Sequence, residues 1–372
     1  MNRRRLRIAL LHPVYWPEVR RGSERLVHDL SVTLAARGHE VTLLTSHAAA
    51  TTTTVEEGVR VVRSRRLPEP RQLRWYEQHL ANAPNVWRGL LGGRFDVAHA
   101  FLAVDAWAAL GARRLGGPPV AFSFHGIPVR RYLVGRRYRT ELLARVAAES
   151  AATTVLSAAA ARRFRRYLLV EPEVLPGGVL AERFGAEPAP RREEPTLICA
   201  ASLADPYKRG ELLLSAFSGL REQLPAARLV LVRSRDPFFG EPSSALPAGV
   251  EVIEADETAA LARAYASAWA SVLPSVDDAF GLVLVESLAA GTPVVASRSG
   301  GPAEIIDDDS VGRLFEPDSR DDLVRAMGEA LELGSRGRCE ACTRRAAEFD
   351  WARVADRYEE LYARIHARGP RR

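Results

Sequence analysis

The chain has 372 residues, 47% of them apolar, and carries 52 basic against 46 acidic side chains, a formal charge of +6. That length suffices for two domains with separate cores. No apolar run of about 18 residues occurs, so no membrane-spanning helix is expected, and an odd total of three cysteines argues against a disulfide framework.

The first residues, "MNRRRLRIALLHPVYW", join a basic start to a short apolar run that stops at His12-Pro13. This is too short for a secretory leader and reads as a first strand, so a cytoplasmic protein is expected. Residues 7–12 predict a buried strand, Ser23 to Arg37 an amphipathic helix closed by Gly38, and 40–45 the next strand. Such a βαβ unit implies a parallel sheet. Strands follow at 95–101, 118–126, 153–157 and 173–179, with helices at 105–115 and 158–167 between them.

The Pro-rich, charged stretch 185–195 has no periodicity and reads as an interdomain linker. A second α/β series starts at 196–202. It continues through a helix at Gly210 to Gln223, strands at 228–233 and 250–254, and a helix at 258–268. A strand at 270–275, a helix at 281–291 and strands at 293–297 and 311–316 come next, before helical stretches at 320–333, 337–348 and 351–367. The expected architecture is α/β: two doubly wound Rossmann-like domains facing a cleft. The N-terminal domain spans 1–184, the linker 185–195 and the C-terminal domain 196–350, while the amphipathic end, 351–372, returns to the first domain. Ligands of such sheets bind beyond the carboxyl ends of the strands.

Charge is uneven. Residues 1–180 hold 28 Arg and 14 acidic side chains, a net +14, whereas the remainder carries −8. A basic half suggests an anionic partner. Nucleic acid is not expected, because no recognisable motif and no Arg–aromatic ladder is present. Six arginines in 128–146 and four in 161–170 suit an anionic membrane surface or a lipid-phosphate acceptor; solvated surface arginines are the plainer alternative. Cys339 and Cys342 form a lone C-x-x-C without further nearby ligands, and read as two small residues on a helix.

Three features sit where chemistry is expected. Gly22 precedes the first helix, whose free N–H groups can hold an anion. His125 lies at the carboxyl end of a strand. After Pro274, the loop carries Asp277 and Asp278, then Phe280, Gly281 and Leu282 open a helix bearing Glu286. Amides at such a start can meet phosphate or sugar oxygens, and a carboxylate can accept from two vicinal hydroxyls. Lys208, in "DPYKRG", is the only lysine; the other 51 basic residues are arginine. A compact, rotatable point charge is what a guanidinium fork cannot supply.

"DDAFGLVLVESLAAGTPVVAS" resembles the signature of glycosyltransferase family 4, retaining enzymes of the GT-B fold. "RGSERLVHDL", "RGHEVTLLT", "HG", "PGGV", "DPYKRGELLLSAF" and "SGGPAEII" occur in the family's order, so the resemblance covers nearly the whole chain. It implies that Glu286 binds the ribose hydroxyls of a nucleotide-sugar, that Asp278, in place of the family's Glu, contacts the transferred sugar, and that His125 lies near the reacting centre. Asp278 reaches about 1.5 Å less far than Glu. Of the family's two phosphate-facing glycines only Gly22 remains, with Arg21 in the first place. Lys208 matches the diphosphate lysine, Ser202 stands where an Arg is usual, and Arg209 is the residue available to compensate. "PGGVL" and Arg298 are further departures.

The implied reaction moves a hexose from a UDP- or GDP-sugar to a glycan, glycolipid or lipid-linked acceptor for cell-envelope synthesis. It needs no metal or other cofactor. Lys208 and the helix start neutralise the departing diphosphate. Two other readings stay open: a nucleotide-sugar epimerase or hydrolase on the same fold, and a sugar-nucleotide-binding protein whose site has decayed at Arg21, Ser202 and Asp278.

Overall fold

The computed structural model describes all residues except 1–3, 20, 67–79, 134–136, 186–188, 204, 234–245, 256 and 368–372. The chain forms two compact units: Met1–Pro176 with Trp351–Arg372, and Gly177–Asp350.

The first unit contains β1 (Arg7–Leu11), α1 (Gly22–Ala36), β2 (Glu40–His47), β3 (Thr52–Glu56), β4 (Val59–Arg65), α2 (Ala83–Gly92), β5 (Val97–Ala100), α3 (Ala103–Arg114), β6 (Val120–Phe124), α4 (Arg130–Leu133), α5 (Arg137–Glu149), β7 (Ala152–Val155), α6 (Ala158–Leu168) and β8 (Glu173–Val174). Its sheet runs β3-β4-β2-β1-β5-β6-β7-β8. All neighbours are parallel except β3 and β4. The central strands are mostly apolar, as strands covered on both faces are; Ile8, Ala9, Leu10, Val97, Ala98, Ala121 and Phe122 are fully buried, and the polar His99 and Ser123 among them bond to each other at 2.7 Å. The β3–β4 hairpin lies outside the strands expected from the sequence. It turns on Glu57-Gly58, both at positive φ (46° and 81°), as a two-residue hairpin turn matched to strand twist requires.

The second unit contains α7 (Ala181–Gly185), β9 (Thr196–Cys199), α8 (Gly210–Gln223), β10 (Arg228–Val232), β11 (Val250–Ile253), α9 (Thr258–Ser267), β12 (Ala270–Leu273), α10 (Leu282–Ala289), β13 (Val294–Ser297), α11 (Pro302–Ile305), β14 (Gly312–Phe315), α12 (Arg320–Ser335) and α13 (Glu340–Ala347). Its sheet is wholly parallel, in the order β11-β10-β9-β12-β13-β14. The chain winds outward from β9 to β11, then returns to lay β12 against the other side of β9. That reversal is the topological switch point, and it sets the loops after β9 and β12 side by side at the carboxyl end of the sheet.

The stretch 185–195, expected as a linker, has its described residues bound inside the second unit. Arg191 Nη2 donates to the carbonyls of Gly291 (3.3 Å) and Gly337 (2.8 Å). Arg192 N donates to Ser267 O at 3.0 Å, and Trp269 Nε1 to Arg192 O at 2.8 Å. The chain passes between units at Pro176–Gly177 and Asp350–Trp351 instead. Pro and charge mark a segment without regular structure; they do not say where its backbone groups bond.

The last helix, α14 (Trp351–Ala367), belongs to the first unit. Trp351, Val354, Ala355, Tyr358, Leu361, Tyr362 and Ile365 line one buried face at helical spacing. Tyr362 Oη meets His99 Nδ1 at 2.7 Å, Arg37 Nη1 donates to Asp356 Oδ1 at 2.7 Å, and His39 Nε2 lies 3.2 Å from Glu359 Oε1. Cys339 and Cys342 begin α13: Cys339 caps it, its Sγ accepting from Cys342 N at 3.3 Å, while Cys342 is buried.

Candidate active site

In the second unit the two loops at the switch point meet. After β9 the chain makes a single 3-10 turn, Pro206–Lys208, capped by Asp205, whose Oδ1 accepts from Tyr207 N at 2.9 Å. The turn lifts Lys208 toward the loop after β12, and Val276 N donates to Tyr207 O at 3.2 Å, tying the loops together. Lys208 Nζ then reaches Asp278 Oδ2 at 2.5 Å. Ser275 Oγ also donates to Oδ2, at 3.2 Å, and Phe280 N donates to Oδ1 at 3.3 Å. Burial opposes charge on both partners, but each outweighs it for the other: Asp278 raises the Lys208 pKa and Lys208 lowers that of Asp278. The pair is therefore ionised.

The loop after β12 is held from below by "SGG". A Cβ at Gly300 would meet Asp278 O at 2.4 Å, and one at Gly301 would meet Ala279 O at 2.4 Å. Only glycine allows this approach, and Gly301 N uses it to donate to Asp278 O at 2.8 Å. Gly281, at φ 97°, caps α10, so the helix starts at Leu282 rather than at Gly281. Glu286 is 1% exposed and accepts from Tyr265 Oη at 3.3 Å.

Two of the sequence-derived residues stand apart from this cluster. Arg209 extends its guanidinium to Asp318, at 2.6 Å, instead of joining Lys208. Its backbone is left-handed (φ 52°, ψ 43°), which turns the chain from the 3-10 turn into α8. Ser202 supplies a buried Oγ without a hydrogen-bond partner among the described residues.

The first unit holds its own constellation at the carboxyl ends of β1 and β6. His125 follows β6, lies tilted at 55° against Phe101 with ring centroids 5.2 Å apart, and sets Nδ1 3.0 Å from Ser23 Oγ. Ser23 is the second residue of α1, and its Oγ also lies 3.3 Å from His12 Nε2. Burial pushes His12 down to about 4 and His125 down to about 3, so both rings are neutral. At Gly22 a Cβ would meet nothing within 4 Å, so the open space beside α1 is not demanded by packing. Arg21, in place of a glycine, turns to buried Glu24, Nη2 to Oε1 at 2.6 Å.

Sequence reasoning missed Ser23, His12, Glu24, Ser275 and Tyr265. His12 and Ser275 are findable from their position just beyond a strand; Ser23 and Tyr265 partner residues 102 and 21 positions away, and Glu24 pairs with Arg21 one helical turn back.

The carboxyl end of the second sheet thus carries an ionised Lys–Asp pair and a helix start, with the buried carboxylate of Glu286 on that helix. Residues 20–183 match the family model described as Glycosyltransferase Family 4, and residues 184–349 the model described as Glycosyl transferases group 1. The chain is 32% identical over 310 residues to an MMP alpha-(1->4)-mannosyltransferase of Mycolicibacterium hassiacum, covering 74% of this chain and 73% of that one. It is 25% identical to a phosphatidyl-myo-inositol mannosyltransferase of Mycobacterium leprae over 98% of both chains. Among solved structures, a sucrose-phosphate synthase of Thermosynechococcus elongatus matches with a TM-score of 0.84 at 21% identity, over 98% of this chain and 100% of that one. The chain belongs to glycosyltransferase family 4, and is a hexosyltransferase of the GT-B fold.

Proposed function

We propose that this enzyme transfers a hexose, mannose or glucose, with retention, from a UDP- or GDP-sugar to a glycan, glycolipid or lipid-linked acceptor in cell-envelope synthesis. The observation that carries the reading is the Lys208–Asp278 pair at the switch point of the second sheet. A buried ion pair contributes little net stability against an apolar pair, so its value lies in the charge it keeps ready. When the bond between the anomeric carbon and the diphosphate oxygen breaks, negative charge grows on the diphosphate. Lys208 and the amides at the start of α10 stabilise it there. Lys208 supplies this countercharge without a metal ion. Asp278 faces the sugar, Glu286 accepts from the ribose hydroxyls, and the acceptor hydroxyl passes its proton to the departing phosphate oxygen. Ser202 and the 280–282 backbone complete the donor contacts of the second unit, and Arg209 acts through Asp318 at their edge.

The names of both relatives, mannosyltransferases, support mannose, and that of the phosphatidyl-myo-inositol mannosyltransferase supports a lipid-linked acceptor. Among the described residues no helix is long and apolar enough to cross a membrane. The exposed arginines of α6, Arg162, Arg165 and Arg166, beside a 90% exposed Leu169, suit reversible docking on anionic lipid. Part of the other arginine-rich stretch, residues 134–136, lies outside the described residues. Flotation with anionic and neutral liposomes tests docking; equal recovery with both contradicts it.

The test of the main reading is a thermal-shift screen of UDP- and GDP-hexoses followed by turnover of the stabilising donor in the presence of a chelator. A stabilising nucleotide-sugar consumed at an undiminished rate with chelator is expected. Binding without turnover for every donor and acceptor supports a decayed site instead.

A further inference from the structure

The direction of the hydrogen bonds around His125 is set by a carbonyl at the far end of the hydrogen-bond chain. His12 Nδ1 lies 2.5 Å from Val14 O. A carbonyl only accepts, so Nδ1 of His12 carries the hydrogen. His12 is 1% exposed and neutral, which leaves its Nε2 as a bare lone pair. Among the described residues Ser23 Oγ is its one partner, at 3.3 Å. Ser23 has a single hydroxyl hydrogen. Once that is given to His12, its oxygen can only accept from the other neighbour, His125 Nδ1, at 3.0 Å.

The opposite direction fails the count. If Ser23 donated to His125, His12 Nε2 would be a buried lone pair without a donor, and His125 would keep its hydrogen on a buried Nε2 without an acceptor. That makes two orphaned groups, against one in the first arrangement, and buried polar groups are almost always paired. The one group left over is His125 Nε2, buried and without a partner among the described residues.

We propose that Ser23 is a positioning residue: the chain Val14 C=O, His12, Ser23 fixes His125 as its Nδ1–H tautomer, so that bare Nε2 accepts a hydrogen bond from a substrate hydroxyl. The substrate part rests on the hexosyl-transfer reading; the tautomer does not. His125 then orients a hydroxyl and does not remove its proton, since burial disfavours the imidazolium that proton removal would create. Nε2 is matched to a donor such as a hydroxyl and mismatched to a bare phosphate oxygen, which also only accepts.

The experiment is long-range proton–nitrogen NMR of the full-length, nitrogen-15-labelled protein without ligand, near neutral pH. His125 is assigned among the eight histidines by the signal lost in His125→Gln. The expected wild-type spectrum has Nδ1 protonated and Nε2 bare. In Ser23→Ala the signal moves to the Nε2–H form or to a mixture, and Ser23→Thr, which keeps the hydroxyl, restores the wild-type form. In parallel, Ser23→Ala lowers kcat about tenfold with donor KM within about twofold, and Ser23→Thr recovers most of it. A wild-type His125 protonated on Nε2, or a Ser23→Ala spectrum identical to wild type, overturns the wiring. The expected spectra with an unchanged kcat in Ser23→Ala overturn the hydroxyl contact. A wild-type protein that turns over no donor contradicts the hexosyl-transfer reading, while the spectra still decide the tautomer.

Discussion

The two units carry opposite kinds of site. At His125 the first unit holds a run of neutral rings and one hydroxyl, buried and directed by a carbonyl at one end. At Lys208 the second unit holds full charges, with each partner keeping the other ionised. A neutral chain fixes orientation, because hydrogen-bond donors and acceptors cannot be exchanged without orphaning a group. An ion pair stores charge that a more negative ligand can draw on. On the proposed function, the contrast gives orientation to the first unit and leaving-group stabilisation to the second.

Charge removal should therefore break the enzyme most severely. Lys208→Ala is expected to lower kcat about 10³-fold or more. It also strands Asp278, a part-buried carboxylate, so the melting temperature should fall as well. Lys208→Ala with Asp278→Asn should regain stability without regaining activity. Recovery of turnover in that double variant would move the chemistry away from this pair.

Glu286→Gln comes next. Donor KM should rise about 10–100-fold while kcat changes less, because hydrogen bonds to a charged acceptor are lost in ground and transition states alike. Titration of the nucleotide diphosphate by calorimetry checks it; unaltered affinity would remove Glu286 from the donor site. Tyr265→Phe removes one hydrogen bond to that carboxylate. A rise in donor KM of about fivefold is expected, and an effect as large as that of Glu286→Gln would mean that Tyr265 touches the donor directly.

The smallest effect concerns pH and the first unit. His12, His99 and His125 are held at about 4, 3 and 3. Below about pH 6.5 the unfolded chain takes up protons there that the folded chain refuses, so stability falls as pH falls. Asp105 works the other way: burial raises it to about 7, so folding binds a proton there between pH 7 and 4 and offsets part of the loss. Asp105→Asn should steepen the fall in melting temperature between pH 7 and 5, by about 2–4 °C per kcal/mol removed. Parallel curves for variant and wild type would contradict the assigned direction.

Much of this was legible beforehand because it follows from period and position. The alternation of strands and helices announced both sheets, and the rule that ligands sit beyond strand ends singled out His125, Lys208 and the 277–286 loop. Three things were not. The β3–β4 hairpin was overlooked although Glu57-Gly58 is a hairpin signal, because a polar Thr-rich strand at a sheet edge lacks apolar periodicity. The unit boundary was placed at the most loop-like composition, whereas the chain crosses at Pro176–Gly177. Lys208 and Asp278 are 70 residues apart, and only the return of β12 to the side of β9 brings them together. The partners of Arg21 and Arg209, Glu24 and Asp318, depend on side-chain direction, which a single sequence does not encode.

The central claim is that the enzyme's one lysine acts as a compact charge on the leaving diphosphate. Steady-state kinetics of Lys208→Arg against wild type, with the same donor and acceptor, test it most directly. Arginine keeps the charge and can keep Asp278 paired, yet its planar fork cannot place a single donor where Nζ stands. A folded Lys208→Arg protein with kcat reduced about tenfold or more is the predicted result; wild-type turnover in that variant would contradict it.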